Sequence, residues 1–212
     1  MHLPDFLIDR YKEWKKIDFH SRNKFFKLLE KKGQKPKTMI ISCCDSRVDP
    51  NNIFKGKNGD FFIHRNIANL VPSLEFHKQD LSIFAALEFA VKVLNVENIV
   101  ILGHSDCGGV KHAHQNLSKK NSNKNYPNIN NWTNLIKPAF DLINKNKTKK
   151  DQKKELEKQS IINSISNIKK FISQKKYTSE NKPKIFGLWI EISTGILMNY
   201  NKEKNKFERI NY

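Results

Sequence analysis

Residues 38–47 read Thr-Met-Ile-Ile-Ser-Cys-Cys-Asp-Ser-Arg, and this stretch decides the fold. Its first part, Thr38–Cys43, is a short apolar run that is typical of a buried strand. Residues 98–109, Asn-Ile-Val-Ile-Leu-Gly-His-Ser-Asp-Cys-Gly-Gly, have the same arrangement, because a β-branched run leads directly into His104 and Cys107. In an open parallel sheet, ligands bind at the carboxyl ends of the strands. The two stretches therefore predict two parallel strands, and if these strands are neighbours, Cys43, His104 and Cys107 can converge at that edge.

The rest of the chain alternates between strand-like and helical patterns, which indicates crossovers in a parallel sheet. Thr194-Gly195 is a predicted turn, so the strands on either side should pair antiparallel. We predict an α/β fold: a mainly parallel β-sheet of four strands plus an antiparallel edge strand, flanked by helices, with an N-terminal helical arm. The other predicted elements are helices at 5–32, 80–93 (with Asp80 as N-cap), 132–144 and 154–174, strands at 60–64, 185–192 and 196–200, and a surface loop at 116–131.

Large aromatic side chains recur through residues 5–32 at spacings near three to four, with charged residues between them. Phe6, Tyr11, Trp14 and Phe19 belong to this helical pattern. Such an arm either covers its own core or packs against a partner subunit, because an isolated helix of this kind exposes a large apolar surface. Gly33 is the predicted stop.

The chain of 212 residues carries 39 Lys and Arg against 21 Asp and Glu, a formal net charge of +18. A nucleic-acid or anionic-membrane partner is one interpretation of this charge. The lysines alternate with Asn and Glu and lack interleaved aromatic residues, so a solvated lysine surface is the favoured interpretation.

The three cysteines form an odd set in a chain whose start lacks a basic segment followed by an apolar run. No stretch reaches the ~18 apolar residues that a membrane span requires. We therefore expect reduced thiols, no membrane partner and a cytoplasmic location.

Cys43, His104 and Cys107 form a candidate ligand set for zinc. His-x-x-Cys is a close pair of ligands, and a donor from the other strand end completes a tripod. Two Cys and one His with an open position form a catalytic zinc set, whereas a closed structural site needs a fourth protein ligand. His112 or His114 could in principle supply that fourth ligand.

Spacing alone leaves open whether Cys43 or Cys44 is the first ligand, because neighbouring side chains of a strand face opposite ways. The pattern Cys-x-Asp-x-Arg, followed by His-x-x-Cys-Gly-Gly, resembles the β-class carbonic anhydrase family. The resemblance is close over roughly residues 34–115, where further matching segments are Arg65–Asn69, Ala86–Ala90 and Val96–Val100.

Carried over by residue, the resemblance implies one Zn²⁺ per chain bound by Cys43, His104 and Cys107. The family's catalytic dyad falls on Asp45 and Arg47. Arg47 would keep Asp45 ionised, and Asp45 would accept a hydrogen bond from the zinc-bound hydroxide.

The resemblance also implies two possible states of Asp45. In some family members this aspartate binds zinc directly and closes the site in an inactive state. Those members typically carry Trp three residues before the first zinc Cys, where this chain has Ile40. The sequence is more similar to the plant-type branch, which predicts an open site. Cys44 stands where the family often has Ser, and we expect it to be a small buried side chain.

A small apolar CO2 pocket is a further implication of the resemblance. Gln34 would hydrogen-bond a substrate oxygen, and Gly108 would allow close backbone approach to an anion. Phe89 replaces a Tyr of many relatives and removes a hydroxyl. The pocket residues implied are Gln34, Phe62, Ile67, Phe89 and Gly108.

Family members have their active site at a dimer interface, which implies a homodimer or a dimer of dimers. Residues 1–33 are accordingly assigned to a dimerising helical arm and residues 34–212 to a catalytic α/β zinc domain.

The implied activity is the reversible hydration of CO2 to bicarbonate. One alternative keeps the fold and metal but acts on a CO2 analogue, CS2 or COS. Another is a non-catalytic basic zinc module that binds nucleic acid. The pair Asp45 and Arg47 argues against that module, because a structural metal does not need it.

Overall fold

The computed structural model describes residues 2–76, 81–118, 125–174 and 182–211. The chain divides into two compact units, Met1–Lys35 and Pro36–Tyr212. The described residues of the second unit contain one sheet, whose strands are β1 (Thr38–Cys43), β2 (Phe61–Asn66), β3 (Asn98–His104), β4 (Lys184–Ile190), β5 (Leu197–Asn201) and β6 (Lys206–Arg209).

The strands are arranged in the order β2-β1-β3-β4-β5-β6. β1 to β4 run parallel, and β5 and β6 add an antiparallel edge. This confirms the predicted sheet of four parallel strands. β1 and β3 are neighbours, which is the condition for the two ligand-bearing strand ends to meet. The difference is β6, a second antiparallel strand. Its sequence, Lys-Phe-Glu-Arg, lacks an apolar run because it lies at the sheet edge.

The helices depart from prediction mainly at their ends. The predicted loop at 116–131 is wrong at both ends, because α5 continues to Ser118 and α6 begins at Pro127, a favoured first helical residue. Residues 119–124 and the predicted N-cap Asp80 lie outside the described residues. The α-helices are α1 (Asp5–Trp14), α2 (Asn23–Lys32), α3 (Pro50–Ile53), α4 (Leu81–Glu88), α5 (Gly108–Ser118), α6 (Pro127–Thr133), α7 (Lys137–Leu142) and α8 (Lys149–Gln174).

Shorter helical turns complete the described chain. Wider π-type turns follow α1 and α4, and 3₁₀ turns lie in the connections. The π-type turns are Lys15–Phe19 and Phe89–Val93, and the 3₁₀ turns are Ile67–Asn69, Leu74–Phe76 and Asn134–Ile136.

The long helix α8 lies close against one face of the sheet. Its buried side chains Ile161, Ile165 and Ile168 belong to the main apolar core, and each such side chain contributes roughly 1.5–3 kcal/mol on burial. The close approach requires glycine beneath the helix. A Cβ on Gly103 would lie 2.7 Å from Ile161 Cδ1, and one on Gly187 would lie 2.7 Å from Ile161 Cγ2.

A row of polar side chains on α8 is buried beside these isoleucines: Glu157, Ser160, Ser164 and Asn167. Ser164 Oγ accepts a hydrogen bond from the Val71 amide at 3.1 Å, and Asn167 Nδ2 donates to the Val71 carbonyl at 2.8 Å. These bonds satisfy backbone groups of a buried connection that no strand pairs. The row therefore fixes the segment that follows β2.

The unit Met1–Lys35 is helical, but the predicted single helix is interrupted. α1 and its π-type turn end at Phe19, and α2 begins at Asn23. Trp14, Phe19 and Phe26 form an aromatic cluster with ring centroids 5.2–5.9 Å apart. No residue of these helices is buried. α2 ends at the predicted Gly33, which takes a positive φ of 66°.

Within the described residues, none of the helices combines the length and the apolar character that crossing a bilayer would require.

Candidate metal centre

Three metal-ligating side chains meet at the carboxyl edge of the sheet. Cys43 ends β1, His104 ends β3, and Cys107 lies immediately before α5. Their ligand atoms all lie within 4.8 Å of one another, and all three residues are buried. The two sulfur atoms are 3.8 Å apart. Two thiolates bound tetrahedrally to zinc at about 2.3 Å lie about 3.8 Å apart, so the spacing fits that ion.

The imidazole of His104 is oriented by a hydrogen bond on its far side. Nδ1 lies 2.9 Å from the Ser105 carbonyl oxygen, so Nδ1 is assigned as the protonated nitrogen. Nε2 is buried and has no hydrogen-bond partner among the described residues. A buried ring nitrogen with a free lone pair beside two thiols is a donor set that suits a metal ion.

The electrostatics of the two thiols follow from their contact. The hydrogen bond from Cys107 lowers the pKa of Cys43, with a further contribution from His104, and burial opposes this shift. The same contact together with burial raises the pKa of Cys107. Burial lowers the pKa of His104, but the contacts with Cys43 and the Ser105 carbonyl outweigh the effect of burial, so the pKa is raised overall. Cys43 is therefore the first thiol to ionise.

Asp45 and Arg47 form a bidentate ion pair beside the three ligands. Arg47 Nε donates to Asp45 Oδ1 at 2.9 Å, and Arg47 Nη2 donates to Oδ2 at 2.7 Å. The Arg47 side chain holds the pKa of Asp45 well below its usual range, against a smaller effect of burial. Asp45 Oδ2 lies 3.9 Å from His104 Nε2. An ionised carboxylate thus stands at the edge of the ligand set.

The loop that carries the dyad is held by Arg65 on β2. Its guanidinium donates to the carbonyl oxygens of Cys43, Asp45 and Val48 at 2.8–2.9 Å. Asn66 closes the neighbouring connection, since its side chain bonds both the amide and the carbonyl of Leu70. Both residues position the backbone of the site rather than face the ligand set.

Glu157 on α8 holds the backbone of Cys107 through a hydrogen bond, and the sequence motifs did not identify this residue. Glu157 is 5% exposed, its Oε1 accepts the Cys107 amide at 3.2 Å, and its Oε2 accepts Trp189 Nε1 at 3.2 Å. Burial raises the pKa of Glu157. Its only sequence signal is its position in the polar row with Ser160 and Ser164, at helical spacing beside the apolar face of α8.

The predicted pocket residues divide between the two units. Phe62 and Phe89 stack with ring centroids 5.7 Å apart, and Ile67 and Phe89 are 44% and 40% exposed. Gly108 is exposed at the start of α5. Gln34 is exposed and belongs to the unit Met1–Lys35.

The next glycine keeps α5 close to the pocket segment. A Cβ on Gly109 would lie 2.6 Å from Ile67 Cγ2 and 3.4 Å from the Ala68 backbone nitrogen. Trp132 Nε1 also donates to the Ile67 carbonyl at 2.7 Å. These two contacts position the segment that follows β2 against α5 and α6.

The expectation that Cys44 is buried is wrong. Cys43 is buried at the end of β1, and Cys44 is exposed. Successive side chains of an extended chain project to opposite sides, so Cys44 faces away from the buried side that Cys43 occupies. The exposure of Cys44 also distinguishes the two adjacent thiols, because only Cys43 lies near His104 and Cys107.

The chain is similar to known proteins over most of its length. The family model described as carbonic anhydrase matches residues 38–197. A carbonic anhydrase of Helicobacter pylori is 31% identical over 205 residues, covering 93% of this chain and 90% of that protein. Beta carbonic anhydrase 3 of Arabidopsis thaliana is 35% identical over 167 residues, covering 77% and 64% of the two chains.

Solved structures have the same fold. The β-carbonic anhydrase CcaA superposes with a TM-score of 0.84 at 23% identity, covering 98% of this chain and 92% of that one. One of two tetrameric β-carbonic anhydrases of Sordaria macrospora superposes with a TM-score of 0.71 at 25% identity, covering 92% of this chain and 95% of that one. With the family model spanning the four parallel strands and both ligand-bearing loops, the chain belongs to the β-carbonic anhydrase family.

Proposed function

We infer that this protein catalyses the reversible hydration of CO2 to bicarbonate at a single Zn²⁺ bound by Cys43, His104 and Cys107. The observation that carries this function is the buried ligand set, in which two sulfurs 3.8 Å apart lie beside an imidazole nitrogen that has no hydrogen-bond partner in the described part of the chain. The family identity supplies the reaction. The alternative of a basic module for nucleic acid is not favoured, because the relatives are carbonic anhydrases.

Zinc would supply a Lewis acid that lowers the pKa of water towards about 7, which provides a nucleophile at neutral pH. The three side chains offer two charged sulfurs and one neutral nitrogen. These three side chains would hold the ion with one protein ligand fewer than a closed structural zinc site uses, as in catalytic zinc sites. The Ser105 carbonyl keeps the His104 proton on Nδ1 and so leaves Nε2 free to bind.

We assign Asp45 the role of orienting the attacking water. Its carboxylate is ionised and lies beside the ligand set, where it can accept a hydrogen bond from that water. Arg47 fixes the carboxylate through two parallel bonds, so little reorganisation is needed when the reaction begins.

The same ion pair supports an open site. For Asp45 to become a ligand itself, it would have to leave Arg47 and lose hydrogen bonds of 2.7 and 2.9 Å. Ile40, three residues before Cys43, is consistent with this proposal. We therefore propose that solvent rather than Asp45 takes the fourth position.

CO2 is apolar, so its pocket should be apolar near the reacting carbon and polar at one end. Phe62 and Phe89 provide stacked rings, and Ile67 adds an aliphatic side chain. Gln34 and Gly108 are the proposed polar contacts.

We assign residues 1–33 as a dimerising arm, since Phe6, Tyr11 and Ile17 are 56–59% exposed in the single chain. The reduced cysteines favour a cytoplasmic location.

Stopped-flow measurement of CO2 hydration tests the function directly. Purified, zinc-loaded protein at pH 8.5 should accelerate hydration well above buffer, with one zinc per chain. A parallel assay with CS2 should give a much lower rate. Absence of hydration above buffer overturns the proposal, and a faster rate on CS2 would assign the alternative substrate.

A further inference from the structure

A cavity of about 650 Å³ opens behind the metal centre, and no residue predicted for the CO2 site lines it. Its wall combines α8, the connection from β4 to β5, and the end of β6. We call it the basic cavity, defined by the cations Lys150, Lys153, Lys154 and Arg209. Its volume lies within the range of about 300–1,000 Å³ typical of sites for small molecules.

The four cations lie together because α8 and β6 both contribute to the wall of the cavity. Lys153 and Lys154 follow Lys150 by three and four residues, so both are neighbours of Lys150 on the surface of α8. Arg209 reaches the same space from β6. Lys154 pairs with Glu191 at 2.9 Å. The other three cations have no carboxylate within ion-pair distance among the described residues.

Three carboxylates line the cavity as well, and they offset part of its positive charge. Glu191 is occupied by Lys154, and Glu157 already accepts bonds from Cys107 and Trp189. Asp106 is the remaining carboxylate and is exposed. Lys150, Lys153 and Arg209 therefore face two carboxylates without a cation, Asp106 and Glu157, which leaves an excess of one positive charge among the described residues that line the cavity.

The wall also offers hydroxyl donors and an apolar side. Ser193 and Thr194 supply hydroxyl groups, and Ile196 and Met198 supply apolar surface. A dianion with several acceptor oxygens satisfies three cations and two hydroxyls better than a monoanion does. The apolar wall and the volume leave room for an organic group attached to it. This chemistry matches a phosphate-bearing small molecule.

The cavity also contacts the support of a metal ligand. Glu157 and Trp189 line it, and Glu157 accepts the amide of Cys107. We propose that the basic cavity binds a phosphate-bearing small molecule and that its occupancy is transmitted to Cys107 through Glu157 and Trp189. Binding itself does not depend on CO2 hydration, so this proposal stands apart from the catalytic one.

Amide and indole NMR signals provide the test, because the Cys107 amide and the Trp189 indole both donate to Glu157. Zinc-loaded protein is titrated with inorganic phosphate and, separately, with ribose 5-phosphate, while sodium chloride holds the ionic strength constant. We expect saturable shifts of both signals. The double substitution Lys150→Gln/Lys153→Gln should weaken binding about tenfold or more. The control Lys169→Gln/Lys170→Gln removes two exposed charges elsewhere on α8 and should leave binding unchanged.

The outcomes separate the ligand sources. Equal affinity for the two probes supports free phosphate as the ligand, and tighter binding of ribose 5-phosphate supports an organic phosphate. Non-saturable shifts, or equal weakening by the control substitution, would mean general attraction to a basic surface and would overturn the site. Saturable binding that leaves the Cys107 and Trp189 signals unmoved would overturn the transmission.

Discussion

The metal centre and the helical arm differ in how far contacts within the chain bury their side chains. At the metal centre, Cys43, His104 and Cys107 are buried, and the loops that carry them are tied by side chains of β2 and α8. In the arm, no helical residue is buried, and apolar side chains such as Ile17 remain 59% exposed.

This difference shows which regions are held in place by contacts within a single chain. Contacts within the chain position the ligand set, so its geometry should form in a single protomer. The exposed apolar side chains of the arm fit its proposed role as a dimer interface, in which a second chain would cover them. Substitutions in the two regions should accordingly change different properties.

Loss of a metal ligand should have the largest effect. In Cys43→Ser, zinc content should fall from one per chain to near zero, and CO2 hydration should fall to the buffer rate, because a hydroxyl replaces a buried thiolate ligand. The matched control is the adjacent Cys44→Ser, which alters an exposed thiol and should retain both zinc and activity. Equal loss in the two variants would contradict the assignment of Cys43.

Removal of the negative charge of Asp45 should have the second largest effect on activity. Asp45→Asn should retain zinc and lower kcat by roughly 10²–10³-fold, in the range of a lost positioned acceptor. Metal analysis beside stopped-flow kinetics checks this. A variant that hydrates CO2 at the wild-type rate would remove Asp45 from the mechanism.

The same ion pair predicts a titration shift. Arg47 lowers the pKa of Asp45, so Asp45 should stay ionised as the pH falls through about 4, the usual range of aspartate. Arg47→Gln removes both side-chain bonds and should raise the Asp45 pKa towards that range. Carbon-13 NMR of the side-chain carboxyl follows the change, and identical titrations in the two proteins would exclude the interaction.

A substitution in the arm should leave the metal centre intact and weaken association. Ile17→Asp should raise the dimer dissociation constant about 30-fold or more, as loss of an interface hot spot does. Analytical ultracentrifugation measures it, with Lys31→Asp as the control on an exposed polar position. Unchanged association in Ile17→Asp would argue that the arm does not dimerise.

The smallest effect concerns pH and Glu157. Burial raises its pKa in the folded state, so its contribution to stability is full below the unfolded value of about 4.3 and is lost as pH rises through the folded value. Glu157→Gln removes this dependence. Urea unfolding between pH 4.5 and 7 should therefore show a steeper decline for the wild type than for the variant, and parallel profiles would contradict the raised pKa.

Apolar runs made most of the sheet predictable. Thr38–Cys43 is predicted at the bounds that β1 has, because a fully buried central strand needs an uninterrupted apolar run. Lys206–Arg209 is not predictable in this way, since an edge strand pairs through its backbone and carries polar side chains. Pro127 was the missed signal inside the predicted loop, because a proline can begin a helix as well as end one.

At the metal centre, local motifs identified the residues that face the ligand set, while their supports depended on tertiary structure. The Arg47 pair lies within one loop, so spacing suggests it. Glu157 reaches Cys107 only because α8 packs across the sheet, and its place in the polar row of that helix does not reveal which backbone group it contacts. The exposure of Cys44 likewise depends on what covers the end of β1.

X-ray absorption spectroscopy at the zinc edge of the loaded protein measures the metal centre most directly. The geometry predicts two sulfurs at about 2.3 Å and two lighter atoms at about 2.0–2.2 Å, namely the His104 nitrogen and a solvent oxygen. The same shell should persist in Asp45→Asn. A shell without two sulfurs, or one that loses a light atom in Asp45→Asn, would contradict an open site formed by Cys43, His104 and Cys107.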